Sequence, residues 1–598
     1  MITGSELIVK FLEKRGITEC YMVTGGGAMF LNDAIGKSKK IRKVFNLHEQ
    51  ACAMAALGSS KLTNKPTVVI PTTGCGGTNT ITGLLDAWQD SNPVMFISGN
   101  VKQSECTFTD SNKLRKKGVQ EANIIEIVQS ITKYSTFTRN LNELFDALIT
   151  GYSQMITGRP GPVWVDVPMD IQSMKIPENI EDQFWKRVDA QEPVNNSPID
   201  SSILYQCQDL ISTAKKPIVI AGYGIHLSNQ VKNFNNFIEQ NKLPFVTTYL
   251  GIDYTNTENE YFIGRLGTKG DRSGNFAINQ SDLVIILGSS VNITVTGFQF
   301  EHFAPNAKII WIDIDEFEDR KGNCSPDIKI NTCLSEFFKT NQWHFNFPEK
   351  WLEICQEWKS NWPTFLDEYY NTENGVNMYL ALEMLYQSRQ KETIYVSDAG
   401  SAYYVTSQSL KLEKGDRYIT SGAQADMGYT LPAAIGACIA SGGKKNIIAI
   451  TGDGSLQMNI QELSLMKGEN LNIKLAVLNN KGYLSIRNSQ DRFFESRYVG
   501  VDKSSGLFLP DLEKIAIAYD IPYIKISSYT DQKILVKAIN SPGPLIIDFD
   551  CPKSQQIVPT SSTKKLEDGT LISPPLDDML PFLSKEELNN NREKSNLL

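Results

Sequence analysis

Two polar segments in the last third of the chain have residue types that suit a metal site. One apolar run ends at Gly452-Asp453-Gly454, and the next ends at Asn479-Asn480. The interval from Asp453 to Asn480 leaves room for a crossover helix between two parallel strands. Because the carboxyl ends of parallel strands lie at one edge of a sheet, we expect both side chains to meet there.

The residue types at that edge suit a magnesium ion that also binds a diphosphate. An Asp carboxylate and an Asn carbonyl are hard oxygen donors of the kind that Mg²⁺ takes. Gly452 and Gly454 let the backbone approach diphosphate oxygens, and a helix beginning near Ser455 offers N–H groups to them. Gly482, two residues beyond Asn480, could add a backbone carbonyl. Gly-Asp-Gly alone would also suit an ordinary turn with Asp as a helix cap, but the following Asn-Asn pair favours the metal site.

This segment resembles the diphosphate-binding motif of thiamine diphosphate (ThDP) enzymes. The similarity to the acetolactate synthase-like family extends over about residues 1–585 and includes TSGAQADMGYTLPAAIGA at 420–437. It implies ThDP and Mg²⁺ as cofactors. It also implies that Met427 supports the bent form of ThDP, and that Asp453, Asn480 and Gly482 are the Mg²⁺ ligands.

A second candidate group lies near the N-terminus, in NLHEQACAMAALG, where Glu49 begins an apolar helix that would bury it. ThDP chemistry requires the imino form of the aminopyrimidine, and a partly buried carboxyl group on the ring nitrogen favours that form. A Glu at a helix start is, taken alone, more often a cap. The family resemblance instead implies that Glu49 is the activating carboxylate.

Further candidate site residues in the first block are implied by the resemblance alone. It implies that Gln120 faces the reacting carbon and that Cys75 replaces a usual proline. It also places the activating Glu and the metal motif on different subunits, which implies a homodimer or homotetramer with active sites at the subunit interface. The residues that would line the pyrimidine side are Gly25, Gly26, Gly27, Thr73 and Asn79.

Three blocks of short apolar runs that alternate with helical patterns must position these residues. Such alternation is typical of parallel α/β sheets, so we predict an α/β protein with three doubly wound parallel-sheet domains. The first and third blocks could be related by duplication. The predicted limits are 1–175 for a pyrimidine-binding domain, 195–345 for a central Rossmann-like domain, 375–553 for a diphosphate-binding domain and 554–598 for a C-terminal tail.

The central block resembles the acetolactate synthase domain that carries a structural FAD, and Arg272 could face a diphosphate there. The chain departs from the family in two places. Asn292-Ile293-Thr294 replaces an Asp-Asp-Arg near the substrate carboxylate, and Ser489 replaces a tryptophan of the second keto-acid pocket. Losing a charged clamp and an aromatic wall argues against acetolactate as the product. We expect the central domain to be structural, with FAD absent or substoichiometric.

The chain has four histidines, and only His48 lies near a catalytic motif. Simple 2-keto-acid decarboxylases use active-site histidines as proton donors, so this shortage favours carboligation. We therefore predict decarboxylation of a small 2-keto acid such as pyruvate, with transfer of the acyl unit to a carbonyl acceptor. The alternatives are a plain 2-keto-acid decarboxylase, an atypical acetolactate synthase, and a non-catalytic paralogue, against which Glu49, Asp453 and Asn480 argue.

A basic cluster, Asn112-Lys113-Leu114-Arg115-Lys116-Lys117, precedes Gln120. Such a cluster commonly lies on a solvated face. On a loop that leads into the cofactor cleft, however, it would hold a phosphate or diphosphate group. This interpretation indicates a sugar nucleotide or sugar phosphate as the acceptor.

Whole-chain composition argues against other classes of function. A formal net charge of −8 and a pI near 5.4 argue against nucleic acid as the main partner. No apolar stretch reaches the roughly 18 residues of a membrane span, and the charged N-terminal segment lacks the apolar core of a signal peptide. We therefore expect a cytoplasmic protein, with neither nucleic acid nor a membrane as a partner.

The ten cysteines are scattered singly, which predicts reduced thiols. The polar C-terminal end, rich in Lys, Glu and Asn, is predicted to be mobile. Six cysteines lie in apolar or glycine-rich contexts and are predicted to be buried: Cys20, Cys52, Cys75, Cys207, Cys438 and Cys551.

Overall fold

The computed structural model describes residues 1–109, 114–191, 198–443, 445–565, 568 and 570–596. Within these residues the chain forms three six-stranded sheets, each parallel throughout, and two short two-stranded pieces. The predicted α/β class with three parallel-sheet domains is confirmed. Each sheet is covered by helices on both faces, which explains why its central strands are nearly continuous apolar runs.

The first sheet has the strand Val94–Asn100, buried at every position, near its centre. Its helices include Gly4–Lys14, Met29–Lys37, Glu49–Thr63, Ile81–Gln89 and Leu141–Ile156. Its strands run in the order Arg42–Phe45, Glu19–Met22, Thr67–Ile70, Val94–Asn100, Val163–Pro168 and Tyr134–Phe137.

The third sheet repeats the topology of the first. Numbered along each domain, the strands of both sheets lie in the order 2-1-3-4-6-5, which supports the duplication hypothesis. The third sheet runs in the order Arg417–Thr420, Ile394–Ser397, Ile447–Gly452, Ile473–Asn479, Leu545–Asp550 and Tyr523–Ile526. Its helices include Met378–Ser388, Gly400–Ser409, Thr430–Ala440, Leu484–Phe493, Leu512–Ala518 and Gln532–Ile539.

The central sheet has a different strand order, 3-2-1-4-5-6, which is that of dinucleotide-binding folds. Helices around it include Ser201–Thr213, Val231–Asn241, Arg272–Gln280 and Leu334–Thr340. Its strands run in the order Phe262–Arg265, Phe245–Thr247, Pro217–Ala221, Leu283–Leu287, Lys308–Asp313 and Ile328–Asn331.

The C-terminal end was predicted to be mobile, but Lys585–Asn596 forms a helix that packs against the linker helix Glu349–Asn361. Trp358 Nε1 donates to Asn591 Oδ1 at 3.0 Å, and Arg592 forms an ion pair with Asp577. These contacts hold the tail on the central domain.

The first and third domains of one chain are joined by a close crossing of the helices Glu49–Thr63 and Thr430–Ala440. A Cβ at Gly58 would lie 2.1 Å from the Ala433 carbonyl oxygen, and a Cβ at Gly436 would lie 1.9 Å from that of Ala55. Both contacts are too short for any side chain, so the crossing requires glycine at both positions.

All ten cysteines are free thiols. Five of the six predicted to be buried are buried, but the prediction for Cys75 is wrong. Cys75 is exposed because it begins the short helix Cys75–Asn79 directly after Gly74, on the open side of a turn. None of the described helices combines the length and apolar content needed to cross a membrane.

Candidate active site

Asp453 lies at the end of a central, buried strand. It begins the short helix Asp453–Leu456 directly after Ile447–Gly452. Its carboxylate accepts hydrogen bonds from the backbone N–H groups of Gly454 and Gly482, each at 3.0 Å. Burial raises the pKa of Asp453 to about 6, so a bound cation would stabilise the ionised form.

Asn480, at the end of the adjacent strand, offers an oxygen that suits a metal ion. Its side chain is 4 % exposed, and its Oδ1 atom has no hydrogen-bond partner in the part of the chain that the structure describes. An unpartnered buried acceptor costs about 1–3 kcal/mol, which coordination to a cation would offset. Asn480 Oδ1 and the Asp453 carboxylate are oxygen donors that fit Mg²⁺.

The two glycines around Asp453 differ in what they allow. A Cβ at Gly452 would meet no heavy atom within 4 Å, so that side of the turn is open to a ligand. A Cβ at Gly454 would lie 2.2 Å from the Tyr483 ring, so glycine is required there for packing. Gly482 has φ +152°, and a Cβ there would lie 2.0 Å from the Val501 carbonyl oxygen.

A buried carboxyl group that the sequence analysis missed, Asp398, orders this edge of the sheet. Asp398 Oδ2 accepts hydrogen bonds from Ser455 Oγ (2.5 Å) and Thr451 Oγ1 (2.9 Å). Ser455 Oγ accepts in turn from the Gly428 N–H at 2.8 Å. Because Met427 directly precedes Gly428, this chain of bonds holds Met427 next to the start of the Asp453 helix.

The loop that carries Met427 is also fixed by the first domain. The Asp90 carboxylate accepts from the N–H groups of Gly422 (2.8 Å) and Ala423 (2.9 Å). Lys61, only 2 % exposed, donates to Asp90 Oδ2 at 2.7 Å. The positive charge of Lys61 therefore stabilises the carboxylate that positions the loop.

Glu49 is the first residue of its helix and is 8 % exposed. Asn79 Nδ2 donates to Glu49 Oε2 at 3.0 Å, and among the described residues no cation pairs with Glu49. His48 caps the helix, with Nδ1 accepting from the Gln50 N–H at 3.1 Å. Glu49 is thus a buried carboxyl group held by a neutral amide, and no hydrogen bond of the described residues involves its Oε1 atom.

The other first-domain candidates gather around the same turn. A Cβ at Gly27 would lie 2.7 Å from Thr73 Cγ2, and one at Gly25 would lie 2.5 Å from Thr72, whereas Gly26 faces open space. Thr73 Oγ1 contacts Asn100 Oδ1 (2.9 Å) and the Gln120 carbonyl oxygen (3.2 Å). Gln120 is exposed and has φ +60°, and such backbone strain is common at functional sites.

Within one chain, no hydrogen bond of the described residues links the Glu49 group to the Asp453 group. One link between the two regions is Glu462, which accepts from Asn46 Nδ2 and from the Leu47 N–H, each at 2.9 Å. Glu462 is fully buried and belongs to the segment that follows the Asp453 helix. It therefore ties the strand end before Glu49 to the third domain of the same chain.

Three models for thiamine pyrophosphate enzymes match this chain. The N-terminal TPP binding domain matches residues 2–127, the central domain 204–339 and the C-terminal TPP binding domain 398–549. Acetolactate synthase 1, chloroplastic, of Nicotiana tabacum is 30 % identical over 572 residues, covering 93 % of this chain and 83 % of that protein. The acetolactate synthase large subunit of Lactococcus lactis is 30 % identical over 570 residues, covering 93 % and 94 %.

The chain belongs to the acetolactate synthase-like family of thiamine diphosphate enzymes. It is therefore a ThDP-dependent enzyme of the carboligase and decarboxylase type, and the predicted enzyme class is confirmed. The resemblance drawn from the Asp453 and Glu49 segments is confirmed with it.

The two departures from the family pattern leave small hydroxyl side chains on the surface. Thr294 is exposed, and its hydroxyl donates to Asn292 Oδ1 at 2.6 Å. Ser489 is exposed, and its hydroxyl donates to the Ser485 carbonyl of its own helix at 3.1 Å. Neither position offers this ThDP enzyme a cation or an aromatic face.

A cavity of about 370 Å³ lies at the carboxyl edge of the central sheet, where nucleotides bind in folds of this strand order. Asp313, the last residue of its strand, and Glu318 line it, and an acidic group at a strand end suits ribose hydroxyls. Arg159, the lining arginine, is already paired with Asp315 and Glu318. The wall thus fits the nucleoside part of FAD better than its diphosphate.

Arg272, the residue expected to face a diphosphate, does not line this cavity. Its guanidinium donates to the carbonyl groups of Met579 (3.3 Å) and Pro581 (2.5 Å). Arg272 therefore anchors the C-terminal tail.

Proposed function

We propose that this ThDP enzyme decarboxylates a small 2-keto acid such as pyruvate and transfers the acyl unit to a carbonyl acceptor. The observation that carries the proposal is that, among the described residues, the buried Asn480 Oδ1 beside Asp453 has no hydrogen-bond partner. Within the same described residues, the buried Glu49 has no counter-ion. Asn480 and Asp453 suit a metal-bound diphosphate, and Glu49 suits proton transfer.

The distribution of histidines favours carboligation. His226 is buried between Asp253 and Arg417, and His48 Nδ1 is occupied by the Gln50 N–H. No histidine contacts the Asp453 turn among the described residues. A site without an imidazole donor protonates a nucleophilic carbon poorly, which leaves time for a carbonyl acceptor to react.

The proposed roles are those that the family resemblance implies. Asp453, Asn480 and the Gly482 carbonyl would bind Mg²⁺, and Met427 would support the bent cofactor. The residues at the diphosphate would be Gly452, Gly454 and Ser455. Those at the pyrimidine would be Gly25, Gly26, Gly27, Thr73 and Asn79.

When bound, ThDP supplies a carbon nucleophile for the keto carbonyl. The Glu49 carboxyl would hold the proton at the pyrimidine ring nitrogen, and Asn79 Nδ2 orients that carboxyl through its bond to Oε2. Gln120, beside Thr73, would face the reacting carbon. The burial of Glu49 keeps bulk water from competing for this proton.

We also propose a homodimer or homotetramer with active sites between subunits. The Glu49 and Asp453 groups share no hydrogen bond within one chain, over the described ranges. Phe45, Leu47 and Met458 are 52 %, 57 % and 47 % exposed, on either side of the Glu462 contact. Exposed apolar side chains in one area are typical of a subunit interface. A cytoplasmic location and the four domain limits stay predictions.

The acceptor is proposed to be a sugar nucleotide or sugar phosphate. Of the basic cluster, Asn112 and Lys113 lie outside the described residues. Arg115, Lys116 and Lys117 are exposed, and Lys117 Nζ donates to the Ser104 carbonyl at 2.6 Å. Exposed cations before Gln120 support attraction of an anionic acceptor.

Product analysis tests this proposal. The holoenzyme would be incubated with isotopically labelled pyruvate and a panel of aldehydes, ketones, sugar phosphates and nucleotide sugars, and the products identified by mass spectrometry. We expect an acceptor that carries the labelled acyl unit. Free aldehyde as the only product would instead show a plain decarboxylase, and acetolactate as the main product an atypical acetolactate synthase.

Flavin content tests the cofactor proposal separately. We expect the purified protein to be colourless or substoichiometric in flavin, because Arg159 is neutralised by carboxylates and Arg272 is held by the tail. Stoichiometric flavin absorbance after purification would contradict this.

A further inference from the structure

A second cavity, of about 350 Å³, lies where the central domain, the third domain and the tail meet. Its wall includes the exposed Phe298, the helix end Arg492-Phe493, and residues 561–563 of the tail. No Asp or Glu is among its described lining residues, although the chain has a net charge of −8. The wall therefore combines hydroxyl, aromatic and cationic groups.

Arg492 brings a positive charge to this cavity without a counter-ion. Its guanidinium donates to the Thr563 carbonyl at 2.8 Å and lies against the Phe493 ring, 5.1 Å from the centroid. It takes part in no ion pair of the described residues. Its remaining N–H groups are available to a ligand in the cavity.

Lys269 is a second cation near this wall, although it is not one of the residues that line the cavity. It follows Thr268, whose carbonyl accepts the Ser561 N–H at 2.8 Å. Its ammonium lies 5.2 Å from the centroid of the Tyr404 ring and forms no ion pair over the described ranges. Burial, together with the charge of Arg492, lowers the pKa of Lys269 to about 8. Two neighbouring cations without an anion indicate a place where an anion would be stabilised.

Ser562 supplies an unused hydrogen-bonding group in the same wall. It is 7 % exposed, and its Oγ atom is buried without a hydrogen-bond partner in the described part of the chain. Buried hydroxyl groups almost always have a partner. A ligand that accepts a hydrogen bond inside the cavity would supply the missing partner.

We propose that this cavity binds the phosphate group of the carbonyl acceptor, held by Arg492, Lys269 and Ser562. This rests on the proposed function and identifies which part of the chain recognises the anionic group. A phosphate accepts several charge-assisted hydrogen bonds at once, which these three donors supply. The exposed rings of Phe298 and Phe493 flank the cavity and offer apolar faces to the rest of the acceptor.

The cavity is also suitably placed relative to the cofactor site. Arg492 lies in the last turn of the helix Leu484–Phe493, which begins just beyond Asn480 and Gly482. A helix of this length spans roughly 15 Å. An elongated phosphorylated acceptor bound at Arg492 can therefore extend along this helix towards the cofactor.

Calorimetry on the holoenzyme, saturated with ThDP and Mg²⁺, tests the proposal with inorganic phosphate and ribose 5-phosphate as probes and ribose as the uncharged control. We expect both phosphates to bind. Arg492→Gln and Lys269→Gln should each weaken binding by about tenfold or more, the size of a hydrogen bond to a charged group. Arg492→Lys should retain most of the affinity, and Lys503→Gln, which removes an exposed cation elsewhere, should change nothing.

Three results would overturn the proposal: no binding of either phosphate, equal affinity in Arg492→Gln and the unaltered protein, or ribose binding as tightly as ribose 5-phosphate. If the double variant Arg115→Glu, Lys116→Glu weakens binding and Arg492→Gln does not, the basic loop holds the phosphate instead. Release of CO₂ from pyruvate, measured on the same samples, separates the two proposals. If Arg492→Gln releases CO₂ normally and binds phosphate as tightly as the unaltered protein, the result contradicts the cavity assignment. It does not contradict the proposed function.

Discussion

The first and third domains share one strand order but place different chemistry at the same edge of their sheets. In the first, Glu49 is a carboxyl group bonded by the neutral Asn79 amide. In the third, Asp453 is bonded by backbone N–H groups, and beside it Asn480 Oδ1 has no partner in the described structure. The shared topology determines where a ligand can bind, and the residue types determine which part of it is bound.

We infer that the carboxyl edges of the first and third sheets have separable tasks. The third domain should control whether ThDP binds, and the first should control whether bound ThDP reacts. Variants on the two sides should therefore differ in which property they lower, ThDP affinity or turnover, as well as in the size of the effect.

Asp453→Ala should abolish ThDP retention, because the diphosphate would lose the metal that links it to the sheet edge. The expected loss of affinity exceeds about a hundredfold, since even residues that only orient metal ligands cost 10–100-fold. Calorimetry with ThDP in the presence of Mg²⁺ measures this. Asp520→Ala, at an exposed carboxylate of the same domain, is the control, and unchanged affinity in Asp453→Ala would refute the metal assignment.

Glu49→Gln should leave ThDP affinity nearly intact and lower turnover by about a hundredfold or more, as expected for a lost proton-transfer partner. The amide keeps the size of the side chain and its contact with Asn79, but it cannot hold or release the proton. Steady-state kinetics and calorimetry on the same preparation separate the two effects. Turnover equal to that of the unaltered enzyme would remove Glu49 from the mechanism.

Asp398→Asn should have an intermediate effect, on the third-domain side of the comparison. Its Oδ2 atom accepts from both Ser455 and Thr451, while its Oδ1 atom accepts from the Ala399 N–H. An amide has only one oxygen, so it cannot accept at both positions. We expect ThDP affinity to fall by about tenfold, with turnover at saturating ThDP little changed. An effect on turnover alone would show that Asp398 acts on the reaction and does not position the diphosphate site.

Mixing the Glu49→Gln and Asp453→Ala proteins tests whether the sheet edges that carry these residues meet within one chain or between two subunits. If sites form between subunits, a hybrid of Glu49→Gln and Asp453→Ala chains contains one intact site. An equal mixture, unfolded and refolded together, should recover about a quarter of full activity in a dimer with random pairing. The control refolds each variant alone. No recovery, with hybrids shown by mass spectrometry, would place each complete site within one chain.

Sequence reasoning reached the parts of the site that obey a local rule. Asp453 and Asn480 each follow a buried strand, and the topology of parallel sheets brings such positions together. Asp398 follows the strand Ile394–Ser397 in the same way and could have been found by the same signal. Glu49 needed the family resemblance, because a Glu at a helix start is usually only a cap.

The remaining features depend on contacts between segments that are far apart in sequence. Lys61 and Asp90 order the Met427 loop across a domain boundary, and no local pattern in either segment predicts it. Lys269 and Arg492 belong to different domains, so their proximity could not be predicted. The prediction that Cys75 is buried is wrong because its glycine-rich context forms a turn. Cys75 is the first helical residue after that turn and is exposed.

The most direct test of the account is the exchange of the thiazolium C2 proton of bound ThDP with deuterium, followed by NMR after rapid quenching. We expect rapid exchange in the unaltered holoenzyme and exchange slower by about a hundredfold in Glu49→Gln, with ThDP still bound through Asp453 and Asn480. Equal exchange rates in the two proteins would contradict the division of tasks between the two domains.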